Sequence, residues 1–214
     1  MIALLTLAGC MGALRTEDGA DRIRGALWFA DDADGPTETL VLLSNSALPC
    51  AAEDTPDDPE TGLDEQAAAL QYWQAQAASA FTREGAIVVM LGLYTWNTAQ
   101  QGDYALSADG LEQHLSLLEA SPRVGFGTWL RVLESEVTES NGIFSNYTVT
   151  DLDFEAAAAA PSHATLDALA GERLSGDFEL GSSGISGDFH AEHCDNPALY
   201  TAVFNEVVAL NYAK

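Results

Sequence analysis

Ala86-Ile87-Val88-Val89-Met90-Leu91-Gly92-Leu93-Tyr94-Thr95-Trp96 carries too little polarity to present a face to water. A half-solvated strand alternates apolar and polar residues, so a continuous apolar run rich in β-branched residues reads as a central strand buried on both faces. Upstream of it, Leu63, Ala67, Leu70, Trp73 or Gln74, Ala77 and Phe81 recur at steps of three and four. Asp64-Glu65 put negative charge in the first turn, where the helix dipole favours it, and Gly85 stops the pattern. Together they predict a helix over about 63–84. The Pro- and acid-rich stretch 51–62 before it reads as a surface loop.

Working outward, Arg24–Ala30 and Glu38–Ser44 read as two strands of an antiparallel hairpin, joined by turn residues Asp31-Asp32-Ala33-Asp34-Gly35-Pro36. Gly102-Asp103 marks a turn into Tyr104-Ala105-Leu106, and the stretch from Leu111 to Leu118 stays ambiguous, with Pro122 limiting its length. Gly127–Thr138 and Tyr147–Phe154 alternate in part around Asn141-Gly142, the strongest two-residue hairpin signal. A tight turn there sets Ser140 opposite Ile143 and Trp129 opposite Phe154. Residues 156–160 before Pro161 read as a helical turn or a linker. Arg173–Leu180 and Ile185–Cys194 each contain Ser-Gly-Asp-Phe across a Gly- and Ser-rich turn, which predicts two matched strands of one hairpin. From Asn196-Pro197 to Ala213, Leu199, Val203, Val207 and Leu210 fit a helical stripe, with Pro where a helix tolerates it best. Successive strands joined by short turns give antiparallel sheet. The expected fold is α+β: mainly antiparallel sheet curled into a sandwich or open barrel, one helix packed on it, and a second helix possible at the C-terminus.

Acidic residues outnumber basic ones 33 to 8 in 214 residues, for a net charge of −25. That length suits one domain with a sizeable core. Recognition of nucleic acid or of anionic lipid heads needs clustered Lys and Arg, so both are excluded as partners of the folded domain. The acidity itself reads as a solvated coat rather than a dedicated cation-binding surface.

The apolar run Ile2-Ala3-Leu4-Leu5-Thr6 ends in Leu7-Ala8-Gly9-Cys10, which resembles the lipobox of bacterial lipoproteins. The resemblance covers only the first ten residues. It implies cleavage before Cys10, whose thiol carries a diacylglyceryl group and whose new amino terminus is acylated as well. Stable anchoring takes two such chains, since one binds only marginally. No Lys or Arg precedes the run, so the true start is expected upstream. The implied organisation is a signal peptide over 1–9, a tether over 10–21 without apolar period, and a single globular domain over 22–214. The implied partner is the lipid bilayer, reached through acylated Cys10. Met11, in place of the Asp that retains many lipoproteins in the inner membrane, implies the outer membrane. With Cys10 lipidated, Cys50 and Cys194 remain, and an even number in an exported chain reads as a disulfide, with two separate thiols as the alternative. The phrase Gly187–Cys194 is faintly similar to closing strands of uncharacterised secreted bacterial lipoproteins.

No catalytic set assembles from the sequence. His190-x-x-His193-Cys194, with Asp188 and Asp195, has metal-ligand residue types, but on a strand His190 and His193 point to opposite faces. Asp32-Ala33-Asp34-Gly35 resembles part of a calcium loop, yet Ala30 holds the first ligand position and Val41 the twelfth. Gly181-Ser182-Ser183-Gly184 has the wrong spacing for a nucleophile elbow, and the only Lys, Lys214, serves no phosphate loop. Glu134 with Glu136, and Asp151 with Asp153, share strand faces as a glycosidase pair does, but acidic pairs are common in so acidic a chain. Neither cofactor nor metal is expected. The reading is a lipid-anchored binding or structural module leaning away from catalysis; the alternative is a secreted hydrolase using paired carboxylates in a cleft.

Overall fold

The computed structural model describes residues 11–17, 19–31, 37–48, 50, 65–95, 100–107, 123–140, 145–156, 162–170, 172–181 and 184–212. In chain order they form β1 (Gly12–Thr16), β2 (Gly19–Arg22), β3 (Gly25–Asp31), β4 (Thr37–Ser44), helix α1 (Glu65–Phe81), β5 (Ile87–Thr95), β6 (Gly102–Leu106), β7 (Val124–Ser140), β8 (Ser145–Ala156), β9 (Ser162–Ala170), β10 (Arg173–Leu180), β11 (Ile185–His193) and helix α2 (Pro197–Tyr212). Eight strands close into a barrel in the order β3, β4, β5, β7, β6, β9, β10, β11, with β11 returning to β3. The hairpin of β1 and β2 attaches to β11, and β8 pairs β7 outside the ring.

Every residue of β5 is buried because the barrel has apolar matter on both sides of this strand. Ile87, Val89, Leu91 and Leu93 point into the lumen, where they meet Val41, Tyr104, Leu166, Phe178 and Phe189. Val88, Met90 and Tyr94 point outward into a second layer built with Trp73, Ala77 and Phe81 of α1 and Leu199, Val203 and Val207 of α2. An eight-stranded barrel is just wide enough for side chains to fill it. Burying each large apolar side chain contributes about 1.5–3 kcal/mol.

Three glycines make room for phenylalanines from the neighbouring strand. Gly92 faces Phe126, Gly176 faces Phe189 and Gly187 faces Phe178 in the ladders. A Cβ on Gly92 would stand 2.0 Å from the Phe126 ring, and one on Gly187 would stand 2.9 Å from the Phe178 ring. The repeated Ser-Gly-Asp-Phe is thereby explained. The two copies run antiparallel with Asp177 opposite Asp188, so each Phe lands over the other copy's Gly.

The predicted hairpins β3–β4 and β10–β11, the central strand β5 and both helical stripes form. The barrel is closed rather than open or a sandwich, since β6–β9 and β11–β3 join strands that are remote in sequence. It is also not purely antiparallel: β11–β3 and β6–β7 are parallel. The first helix ends at Phe81 rather than about 84, with Trp73 buried and Gln74 exposed; its described part begins at Glu65, and Leu63 and Asp64 lie outside the described residues. Gly85, with φ of 75°, turns the chain into β5 instead of capping the helix. Residues 12–16 and 19–22, expected in a tether, pair in the sheet as β1 and β2. The strand β9 has no counterpart among the sequence expectations. Ser140 pairs with Ser145 rather than Ile143, and three register irregularities follow along β7–β8. Trp129 therefore faces Glu155, and Leu130 faces Phe154. The stretches 32–36, 111–118 and 157–161 lie outside the described residues.

Candidate functional site

Of the residues singled out in the sequence, Cys50 and Cys194 are brought together. Their Cα atoms are 5.5 Å apart and the sulfurs are bonded, across 144 residues of chain. Asn196 Nδ2 donates to the Cys50 carbonyl (3.0 Å), while its Oδ1 accepts from Leu199 N–H (2.9 Å) and caps α2. One side chain thus ties the bridge to the helix start, a position where Asn is among the best caps. The Cys194 N–H donates to the Trp28 carbonyl, which joins the same corner to β3.

His190 and His193 diverge as strand geometry requires. His190 is exposed, whereas His193 lies half-buried against the Trp28 ring at 4.3 Å between centroids. Trp28 Nε1 donates to the Glu172 carbonyl, which also accepts from His193 N–H. This aromatic pair sits where β11 pairs with β3, and it was invisible in sequence because 165 positions separate its members. Asp188 pairs with Arg15 at 3.5 Å and Asp195 is exposed. Among the described residues, no group of three His, Cys, Asp or Glu is placed to hold a metal ion.

The carboxylate pairs fare similarly. Glu134, Glu136, Asp151 and Asp153 are all exposed on the ribbon of β7 and β8. Glu206, on α2, is held above the usual glutamate range by burial. Tyr94, opposite Glu38 in the β4–β5 ladder, is pushed far above the usual tyrosine value, first by burial and then by the Glu38 charge. Tyr104 is also raised by burial, against the opposing effect of the Gln100 backbone; its hydroxyl donates to the Gln100 carbonyl and accepts from the Gln100 N–H.

A row of outward side chains crosses, in register, the wall that neither α1 nor α2 covers: Asp103 on β6, Thr165 on β9, Asp177 on β10 and Asp188 on β11. Thr165 Oγ1 donates to Asp103. Asp177 is raised above the usual aspartate range, by desolvation first and by Asp167, Asp103 and Asp188 as well, with His163 acting against them. The sequence scatters these residues over nearly ninety positions, so only the strand order reveals the row. A dent lined by Leu14, Arg22, Ile23, Leu43, Asn45 and Ile87 has no room for a water molecule.

No helix among the described residues is long and apolar enough to cross a membrane. The barrel itself is apolar inside, and the wall away from α1 and α2 carries Asp103, Asp167, Glu179 and Glu192 outward. Lipid-spanning barrels have the reverse arrangement. Comparison with protein families, with curated proteins and with solved structures gave no match.

Proposed function

We propose that the protein is a lipid-anchored lipoprotein of the bacterial cell envelope whose filled barrel acts as a non-catalytic binding or structural module. The observation that carries the reading is the Cys50–Cys194 bridge. Disulfides persist in oxidising compartments, the periplasm and cell surface among them, and are rare in reducing cytosol. That agrees with export through Leu7-Ala8-Gly9-Cys10, the resemblance on which the anchor rests. Against catalysis stands the lumen: among the described residues it is packed with Leu, Val and Phe side chains and offers no cleft in which a substrate meets polar groups. Among the described residues, the alternative, a hydrolase with paired carboxylates, draws support from Glu206 and from Asp177 opposite Asp188 on the outer wall, while the adjacent pairs on β7 and β8 face open solvent.

The test is fractionation in a bacterium, with a basic signal region supplied ahead of Met1. The wild-type chain should enter the detergent phase and the membrane pellet, and Cys10→Ser should leave both. A variant that partitions as the wild type does would refute the anchor.

A further inference from the structure

The residue that follows the anchor cysteine is already part of the sheet. The Met11 carbonyl accepts from the His190 N–H at 2.9 Å, and the Gly12 carbonyl accepts from the Ile23 N–H at 3.2 Å. Gly12 pairs with Phe189, and its φ of 132° suits glycine. Backbone contact there is so close that a Cβ would stand 2.0 Å from the Asp188 carbonyl oxygen. Met11 follows Cys10 directly in the chain, so no spacer residue separates the acylation position from the hydrogen bond that ties Met11 to β11.

The surface around this point differs in charge from the rest of the chain. On the outer faces of β1, β2 and β11, Arg15 and Arg22 stand against Asp188 and Glu192, two of each sign, in a chain of net charge −25. Ala13 and Arg22 are ladder partners and Arg15 lies two residues along from Ala13, so both arginines stand on the outer side of the hairpin, where they are exposed. The helical layer covers the outer faces of β3, β4, β5 and β7, and neither α1 nor α2 packs on this wall.

Resting on the anchor reading above, we propose that the lipoprotein has no tether: acylated Cys10 is coupled directly to β1, and the outer wall around β1, β2 and β11 is seated on the lipid headgroups. The seat is held by the acyl chains. Its balanced charge permits the contact that the acidic remainder of the surface would resist, because headgroup charge acts within about a Debye length. A barrel held this way keeps one fixed orientation to the bilayer, with α1 and α2 turned away from it.

The hairpin contains its own protease sites. Trypsin cleaving after Arg15, Arg22 or Arg24 would release a tethered barrel from vesicles, whereas paired strands resist until they open. The full lipidated chain, reconstituted in phosphatidylcholine vesicles, should be released about tenfold or more slowly than a variant carrying Gly-Ser-Arg-Gly-Ser between Met11 and Gly12. Equal release of the acylated wild-type chain overturns the inference and leaves the anchor standing. An unacylated Cys10, read by intact mass before digestion, overturns both. The soluble Cys10→Ser chain gives a reading that needs no insertion: after digestion its barrel should still carry residues 11–24, and their early loss overturns the inference. For the seating, fluorophores on Arg22→Cys and on Gln74→Cys of α1 are compared by energy transfer to labelled headgroups. Transfer should be stronger from position 22, and equal or reversed transfer overturns the orientation.

Discussion

Phe189 has no exposed surface, and its ring lies over Gly176, where an added Cβ would come 3.1 Å from it. Phe189→Ala would leave a void between β10 and β11 that the rigid ladder cannot collapse. It should cost about 3–5 kcal/mol in denaturant unfolding. The same logic makes Gly187→Ala destabilising although alanine adds only a methyl, since that methyl meets the Ala13 carbonyl at 2.5 Å as well as the Phe178 ring. The repeated Ser-Gly-Asp-Phe was legible as a matched hairpin, but the reason for its glycines was not, because it lies in which residue opposes which. Asp177 behaves differently. Its folded-state pKa is raised, so ionisation is disfavoured by folding and stability should rise as pH falls through that raised value, levelling off below the ordinary 3.8. Asp177→Asn should therefore melt above the wild type at pH 7, and the difference should shrink as pH approaches 3.8 in a thermal-melt series. A constant difference across that range would remove the raised carboxyl of Asp177 as its cause.

Among the elements, α2 was readable because three independent signals coincide: Asn196 at the cap, Pro197 at the first helical position and a stripe through Leu199, Val203 and Val207. Asn196→Ala should cost about 1 kcal/mol for the cap, with a further loss from stranding the Cys50 carbonyl. Asn196→Asp keeps the capping oxygen, so denaturant midpoints of the two variants separate the roles. The strand β9 was hidden for a physical reason. Ser162, Ala164 and Leu166 alternate inward, but the register shifts opposite Ser175 and Gly176, and Ala168-Leu169-Ala170 then breaks the period of two. Alanine also has weak strand preference, so composition offered no correction. The β1–β2 hairpin was hidden by length. Strands of five and four residues carry too few apolar positions, Leu14 and the adjacent Ile23, to register as a pattern without β11 beside them.

At the scale of the molecule, the α+β class and the two-sided burial of β5 could be read from hydrophobic pattern, whereas closure could not. Periodicity describes a strand's faces, and closure depends on its edges: β6 meets β9 and β11 meets β3 through residues far apart in the chain. The disulfide was legible by counting cysteines once Cys10 was set aside. Its loop of 144 residues puts the chain-entropy stabilisation on the order of 5 kcal/mol, an upper figure for the loss expected in the Cys50→Ser, Cys194→Ser double variant. The candidate site was less legible, because the Trp28–His193 stack and the acidic row arise from strand order alone. The claim of an exported, acylated and bridged protein is tested most directly by the intact mass of the chain isolated from the membrane fraction with its thiols blocked. The account predicts a chain beginning at Cys10, heavier by its acyl groups, with neither Cys50 nor Cys194 alkylated until reductant is added. A chain that retains the first nine residues, carries no lipid and is alkylated at all three cysteines would contradict it.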